Sequence, residues 1–180
     1  MTREDSITEW FAEQSRLDAS IFPIGIGDDM AQVNVAGKTV LITTDMLLDG
    51  VHFNVAECGF FAAGRKAMAV NLSDCAAMAS EPLAAAASVG LCAGTGEKEL
   101  KEIHEGLTGI GEKYNCKLIG GDINVWSGPS GKLVINVCVL STPGKGGVIR
   151  RNGAKAGDIV CVTGTLGNSL ASGKHLFFEP

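Results

Sequence analysis

The stretch that decides the fold is LITTDMLLDGVHF, residues 41–53. An apolar strand is predicted over residues 39–42, and the sequence then turns polar at Thr43, Thr44 and Asp45. Two hydroxyls and a carboxylate at the end of a strand offer three hard oxygen ligands, which are the donors that Mg²⁺ prefers. Taken alone, the stretch is more simply explained as a threonine-rich strand that enters a turn.

One of the three histidines lies beside these candidate ligands. His52 follows the strand, beyond a turn predicted at Asp49 and Gly50. We expect the other two, His104 and His175, to be surface residues.

Composition limits the classes of function. The chain has 180 residues, of which 46% are hydrophobic and 19% charged, so a packed core is feasible. The net charge of −5 argues against a general nucleic-acid surface, which would be basic. It leaves anionic ligands open, because bound metal ions can invert the local sign of the charge.

The cysteines and the apolar segments predict a cytoplasmic protein without a membrane partner. Six cysteines are scattered without a CxxC pair, which favours a reducing compartment. Residues 1–10 contain no apolar signal core. The longest apolar region, residues 67–92, is interrupted by Asp74, Glu81 and Pro82.

Acidic residues recur beside predicted core elements, at Asp28, Asp29, Asp45, Asp74 and Asp122. Each position has a structural explanation when taken singly, as a turn, a helix cap, a buried hydrogen-bonded carboxylate or an Asx turn. If they converged, they would form a carboxylate site that binds several Mg²⁺ ions and, through them, a polyphosphate.

The usual phosphate-binding motifs are missing. The segment Gly37-Lys38-Thr39 resembles the end of a Walker A loop, but Gln32 stands where the first glycine is needed. The turn GTLGNS, residues 164–169, is compatible with an anion cradle, although a loop glycine is the commoner explanation.

Several segments together resemble the thiamine-monophosphate kinases, which belong to the superfamily of aminoimidazole ribonucleotide synthetase and selenophosphate synthetase. The resemblance covers roughly residues 20–170 and rests on these segments, in this order: IGIGDDMA, LITTDMLLDGVHF, RKAMAVNLSDCAAMASEP, LIGGD and RRNGAKAGDIVCVTGTLG.

The sequence pattern and this resemblance predict the architecture. We expect an α/β (α+β) fold, with a mixed four-stranded sheet that helices cover on one face. The resemblance implies that two such sheets pair in a homodimer. It also implies an ATP- and Mg-binding dimerisation domain over residues 1–147, with residues 148–180 as the start of a C-terminal domain that is cut short.

The resemblance further implies phosphorylation of thiamine monophosphate to thiamine diphosphate by ATP, assisted by several Mg²⁺ ions. Gly121 and Asp122 would meet the nucleotide, Arg151 its phosphates, and His52 the substrate. No catalytic side chain is expected, because the acceptor phosphate is already an anionic nucleophile. The implied metal ligands are Asp29, Thr43, Thr44, Asp45, Asp74 and Asp122.

Other interpretations stay open. From the residues alone, Arg151 is equally compatible with an exposed turn arginine beside Arg150. A related synthetase or dehydratase of the same superfamily would share the metal ligands. A non-catalytic remnant that dimerises and binds metal or nucleotide is favoured by the short chain, and Asn168 stands where relatives often have Asp.

Overall fold

The computed structural model of the protein describes residues 3–128, 130–162, 167 and 172–180. Most of the predicted GTLGNS turn, Asn168 included, lies outside the described residues. The helices are α1 (Arg3–Ser15), α2 (Val55–Ala77) and α3 (Glu97–Lys113), followed by a short 3₁₀ helix (Lys174–Leu176). The strands are β1 (Ala31–Val35), β2 (Lys38–Leu48), β3 (Ser80–Leu91), β4 (Lys117–Val125) and β5 (Val134–Pro143).

The described residues form one mixed sheet in the strand order β1-β2-β5-β3-β4. Only β3 and β4 pair in parallel, across the crossover through α3. The prediction of four strands was wrong: the sheet has five, and β4 does not stop at the double glycine but continues through Asp122 to Val125 and forms the edge beside β3, opposite the β1–β2 hairpin. The absence of a side chain at Gly121 permits this continuation of β4, since a Cβ there would lie 1.8 Å from the carbonyl oxygen of Ala87.

Helices α2 and α3 cover one face of the sheet, as predicted. The α2 helix is rich in alanine and buries Ala63, Ala67 and Met68 against the strands and against α3. The two helices approach closely because Gly64 and Gly106 have no side chains at the crossing. A Cβ on either glycine would come within 2.3 Å of a main-chain oxygen of the other helix.

The opposite face of the sheet has no covering helix among the described residues. Since side chains alternate along a strand, Thr43 and Asp45 face the helices, whereas Ile42, Thr44 and Met46 point to the open face. Ile42 and Met46 are exposed apolar side chains there. An apolar face of this kind is typical of an interaction surface.

The strand predicted over residues 159–163 is not formed in its described part, residues 159–162. These residues follow the loop at 144–158, and Ile159 and Val160 are 87% and 98% exposed. No helix in the described part of the chain is both long and apolar enough to cross a membrane.

Candidate metal and phosphate site

Thr43 and Asp45 do not lie at the end of a strand, as was predicted, but in the middle of β2, which continues to Leu48. There they meet helix α2 and the loop before β1. The hydroxyl of Thr43, which is almost buried, donates to the carboxylate of Asp74 at 2.6 Å. The same hydroxyl lies 3.2 Å from the main-chain carbonyl oxygen of Asp29. Three segments far apart in sequence therefore meet at one hydroxyl. We refer to Thr43, Asp29, Asp45 and Asp74 as the acidic cluster.

The charge of Asp74 is unfavourable in this position. Burial, assisted by the negative charges of Asp45 and Asp29, raises the pKa of its carboxyl to about 6. The hydrogen bond from Thr43 and the positive charge of Arg151 oppose this pKa shift. A carboxylate surrounded by other carboxylates is stabilised by a cation, so the electrostatics favour a bound metal ion.

Asn71 holds Asp45 in place. Its side chain is fully buried on α2, and its Oδ1 atom accepts the main-chain N–H of Asp45 at 3.1 Å. Its Nδ2 atom donates to the carbonyl of Ala67. β1 pairs with β2 only as far as Ile42, so Asn71 satisfies an N–H that lies beyond the end of β1.

Two arginines lie against the aspartates of the 24–30 loop. The guanidinium of Arg151 donates to the carboxylate of Asp29, and its main-chain N–H donates to Asp28. Arg150 forms an ion pair with Asp28 at 3.6 Å. Arg151 is thus next to a predicted metal ligand, where a phosphate group bound to that metal would also lie.

The donor set of the acidic cluster fits a hard divalent cation, since it consists of carboxylate, hydroxyl and carbonyl oxygens. Among the described residues, no three or more His, Cys, Asp or Glu side chains are close enough to hold a metal ion in their present positions. The guanidinium of Arg151 is hydrogen-bonded to Oδ1 of Asp29, and the hydroxyl of Thr43 is hydrogen-bonded to Oδ2 of Asp74. A metal ion that binds these same two oxygens would replace the two contacts.

Two of the predicted ligands lie apart from the acidic cluster within one chain. The hydroxyl of Thr44 bonds to Asn136 on the open face, because Thr44 and Thr43 point to opposite sides of β2. Asp122 on β4 pairs in register with Ser88 on β3 and also lies on the open face. Three inter-strand spacings of about 4.8 Å, roughly 14 Å in all, separate β4 from β2.

Gly121 and Asp122 border a separate cavity of about 520 Å³ between α3 and β4. Its walls are mostly apolar, with Leu100 and Leu107 from α3 and Leu118 from β4. Lys101, His104 and the main chain of Gly120–Asp122 supply polar groups at its edge. An apolar cavity with a few polar groups is the usual form of a small-molecule site.

His52 lies near the C-terminal end of β2, away from Thr43. Its Nδ1 atom accepts the main-chain N–H of Leu48 at 2.9 Å, so the proton of the neutral ring belongs on Nε2. The ammonium group of Lys66 donates to the main-chain carbonyl of His52. Asp45 and Leu48 are three residues apart, which is about 10 Å along a strand. His52 is therefore separate from the acidic cluster.

Three residues that shape this region had no predicted role. They are Asn71, which positions Asp45, Lys66, which fixes the His52 loop, and Arg150, which pairs with Asp28. Asn71 had a usable signal, since it precedes Asp74 by three residues and so shares a helix face with it. Lys66 and Arg150 had none, because their partners are set by tertiary contacts.

Comparison with known proteins gives a family. The chain matches the AIR synthase related protein, N-terminal domain, over residues 27–142. It is 37% identical to a thiamine-monophosphate kinase of Rhodopirellula baltica over 165 residues, which cover 87% of this chain and 50% of that protein. It is 36% identical to the thiamine-monophosphate kinase of Bacillus subtilis over 157 residues, covering 87% and 47% of the two chains.

Solved structures agree with this result. The structure of AaThiL complexed with AMPPCP and TMP superposes with a TM-score of 0.80 at 30% identity, covering 98% of this chain and 54% of that one. Thiamine monophosphate kinase from Aquifex aeolicus gives a TM-score of 0.74 at 27% identity, with 98% and 55% covered. The chain thus spans about half the length of the curated relatives it matches. Because the family match extends over more than half of its residues, the chain belongs to the AIR synthase related protein family, through the N-terminal domain.

Proposed function

We propose that this chain is the nucleotide- and metal-binding part of an ATP:thiamine-phosphate phosphotransferase. The observation that carries the proposal is the meeting of Asp29, Thr43 and Asp74 at one hydroxyl, with Arg151 beside them. The similarity to AaThiL, whose structure contains AMPPCP and TMP, supports the choice of substrates. The transfer would join the terminal phosphoryl group of ATP to the phosphate of thiamine monophosphate, leaving ADP and thiamine diphosphate.

The site suits a reaction that needs no protein base. A phosphate oxygen of the acceptor is already anionic, so the protein has to align two anions and neutralise their charge. Mg²⁺, when bound, would supply most of that neutralisation. Asp29, Asp45, Asp74 and Thr43 would hold it, with Asn71 keeping Asp45 in register.

The nucleotide would take two further contacts. Arg151, once released from Asp29, offers a planar fork of donors suited to a phosphate group. The cavity beside Gly121 and Asp122 is large and apolar enough for a nucleobase. His52 would present its Nε2–H to the thiamine phosphate substrate, because Nδ1 is held by the main chain.

A homodimer through the open sheet face would give the remaining two predicted ligands a place at its interface. Thr44 and Asp122 both lie on that face, so two paired sheets would bring these proposed metal ligands to the interface. Met46 and Ile42 supply apolar surface to bury there. Sedimentation of wild type and of the variant Met46→Glu tests this pairing. A monomeric wild type at high concentration would contradict it.

The rest of the protein's context follows from the same proposal. We expect a cytoplasmic enzyme that works without nucleic acid or membrane partners. We assign residues 1–147 to the first domain and residues 148–180 to the start of a second. This division explains the exposure of Ile159 and Val160, since their partner strands would belong to the second domain.

Incubation of the chain with Mg-ATP and thiamine monophosphate tests the function, with ADP release and thiamine diphosphate formation as readouts. ADP release that requires thiamine monophosphate supports the kinase. Binding of Mg-AMPPCP without turnover would select a dimerising, nucleotide-binding domain without catalytic activity. Failure to bind Mg-AMPPCP would overturn both.

A further inference from the structure

The C-terminal segment, residues 174–180, lies against the outer side of the α2–α3 pair. Its two apolar side chains Leu176 and Phe178 pack on the hydrophobic core. Pro180 lines a small pocket together with Leu72 and Tyr114. The segment therefore docks at its aliphatic and aromatic positions and not only by charge.

Arg65 of α2 is the centre of this contact. Its side chain is only 11% exposed, and it donates to the main-chain carbonyls of Leu176 and Phe178, the latter at 3.0 Å. The same guanidinium pairs with Glu179 at 3.1 Å and lies over the ring of Phe177 at 5.6 Å. Arg65 thus contacts four consecutive residues of the segment, which a lysine could not do with a single ammonium group.

Glu179 extends the contact to α3. One of its carboxylate oxygens accepts from Arg65, and the other accepts from Lys113 at 2.6 Å and from the phenol of Tyr114 at 2.8 Å. A single carboxylate therefore joins the C-terminal segment to both helices. Charge-assisted hydrogen bonds of this kind are stronger than those between neutral groups.

We propose that Arg65 and Glu179 form an intramolecular clasp, in which the α2–α3 surface binds the segment 174–180 of the same chain. The hydrogen bonds from Arg65 to the main-chain carbonyls align the segment on α2, and the carboxylate of Glu179 makes the contact specific for this segment. In a protein with the length of the relatives, the clasp would hold the second half of the chain in a fixed position against helices α2 and α3. The clasp is independent of the proposed reaction.

The clasp lies next to the predicted substrate loop along α2. Arg65 is followed directly by Lys66, which donates to the carbonyl of His52. The two neighbouring cations therefore fix the C-terminal segment and the His52 loop to one helix. Arg65 is in this respect a positioning residue and contacts no reacting group.

Tyr114 reports on the clasp, because it is the single tyrosine of the sequence. Its hydrogen bond to Glu179 raises the pKa of the phenol, Lys113 and Arg65 lower it by their charges, and the first effect is larger. Titration of tyrosinate absorbance in Arg65→Met gives a clear sign. If the clasp opens, the pKa of Tyr114 falls because Glu179 leaves. If the segment stays in place, the pKa rises because only a positive charge is lost.

Hydrogen exchange at neutral pH gives a second measurement on the full chain. The amides of Leu176 and Phe177 bond within the short 3₁₀ turn. We expect their protection to fall on the order of ten- to a hundredfold in Arg65→Met and in Glu179→Gln, the effect of losing a charge-assisted hydrogen bond. Arg65→Lys should restore part of it.

Glu112→Gln is the matched control, because Glu112 pairs with Lys117 on the same part of α3 without contacting the segment. It should leave both readouts unchanged. Glu179 is solvent-accessible, so Glu179→Gln keeps the test decisive if Arg65→Met fails to fold. Unchanged exchange in Glu179→Gln, or a raised Tyr114 pKa in Arg65→Met, would overturn the clasp.

Discussion

The guanidinium of Arg151 donates to the carboxylate of Asp29, so a predicted phosphate ligand and a predicted metal ligand hold each other. A metal ion that binds the same oxygen of Asp29 would displace Arg151, which would then be free to meet the phosphate that the metal brings. The ion pair is more than half exposed on the arginine side, so its strength is modest.

Replacing Arg151 by Gln should therefore have opposite effects on the two ligands. Binding of Mn²⁺ alone should tighten by about two- to fivefold, the worth of a partly exposed ion pair. Binding of Mg-AMPPCP should weaken, because a phosphate contact is lost. Titration calorimetry checks both. Lys145→Gln, which removes a charge from an exposed loop lysine, is the control. Equal effects of the two variants would contradict the exchange.

The raised pKa of Asp74 predicts that the stability of the metal-free protein depends on pH. Its pKa is raised from 3.8 to about 6 in the fold, so the folded state binds a proton that the unfolded state has released. Stability should therefore fall as the pH rises through this window, and the loss should be complete above it. The variant Asp74→Asn lacks this titrating carboxyl group.

In the presence of a chelator, Asp74→Asn should be more stable than wild type at neutral pH, and the difference should vanish as the pH approaches the ordinary pKa of an aspartate. Thermal melts across this pH range measure it. A stability difference that does not change with pH would show that Asp74 is not responsible.

Asn71→Ala tests the support of Asp45. The substitution leaves a main-chain N–H without its partner, so the free energy of unfolding should fall by about 1–3 kcal/mol. Mn²⁺ binding should weaken as well, since Asp45 loses its anchor. Ser73→Ala on the same helix is the control. A destabilised variant that binds Mn²⁺ as wild type does would restrict Asn71 to a structural role.

Two glycines on α3 give a matched test of the helix crossing. A Cβ at Gly106 would lie 2.2 Å from the carbonyl oxygen of Phe61, whereas a Cβ at Gly109 meets nothing within 4 Å. Gly106→Ala should cost about 1–3 kcal/mol of stability. Gly109→Ala should add about 0.5–1 kcal/mol through helix propensity. Denaturant unfolding measures both, and equal effects would contradict the close crossing.

Much of the site could be predicted from local sequence. The polar residues of β2, the Asp74 helix and the glycines before Asp122 each carry a local signal. Alternation along β2 also separates Thr43 from Thr44, although the two were predicted to act together. Local patterns did not predict that β4 would continue past its glycines, because that depends on the carbonyl of Ala87 in another strand.

The long-range contacts were beyond sequence reasoning for the same reason. Asn71 and Asp45 are 26 residues apart, and Arg151 and Asp29 are 122 apart. Their pairing depends on how α2 lies against β2 and on where the loop after β5 returns. Charge and spacing predict that such residues need partners but do not say which ones.

The central claim is that the acidic cluster binds a divalent cation and, through it, the phosphates of ATP. The most direct measurement is Mn²⁺ binding by electron paramagnetic resonance in the presence of AMPPCP, with wild type compared to Asp74→Asn. We predict that wild type binds Mn²⁺ and that the variant loses at least about tenfold in affinity. Equal Mn²⁺ affinity in the two proteins would contradict the account.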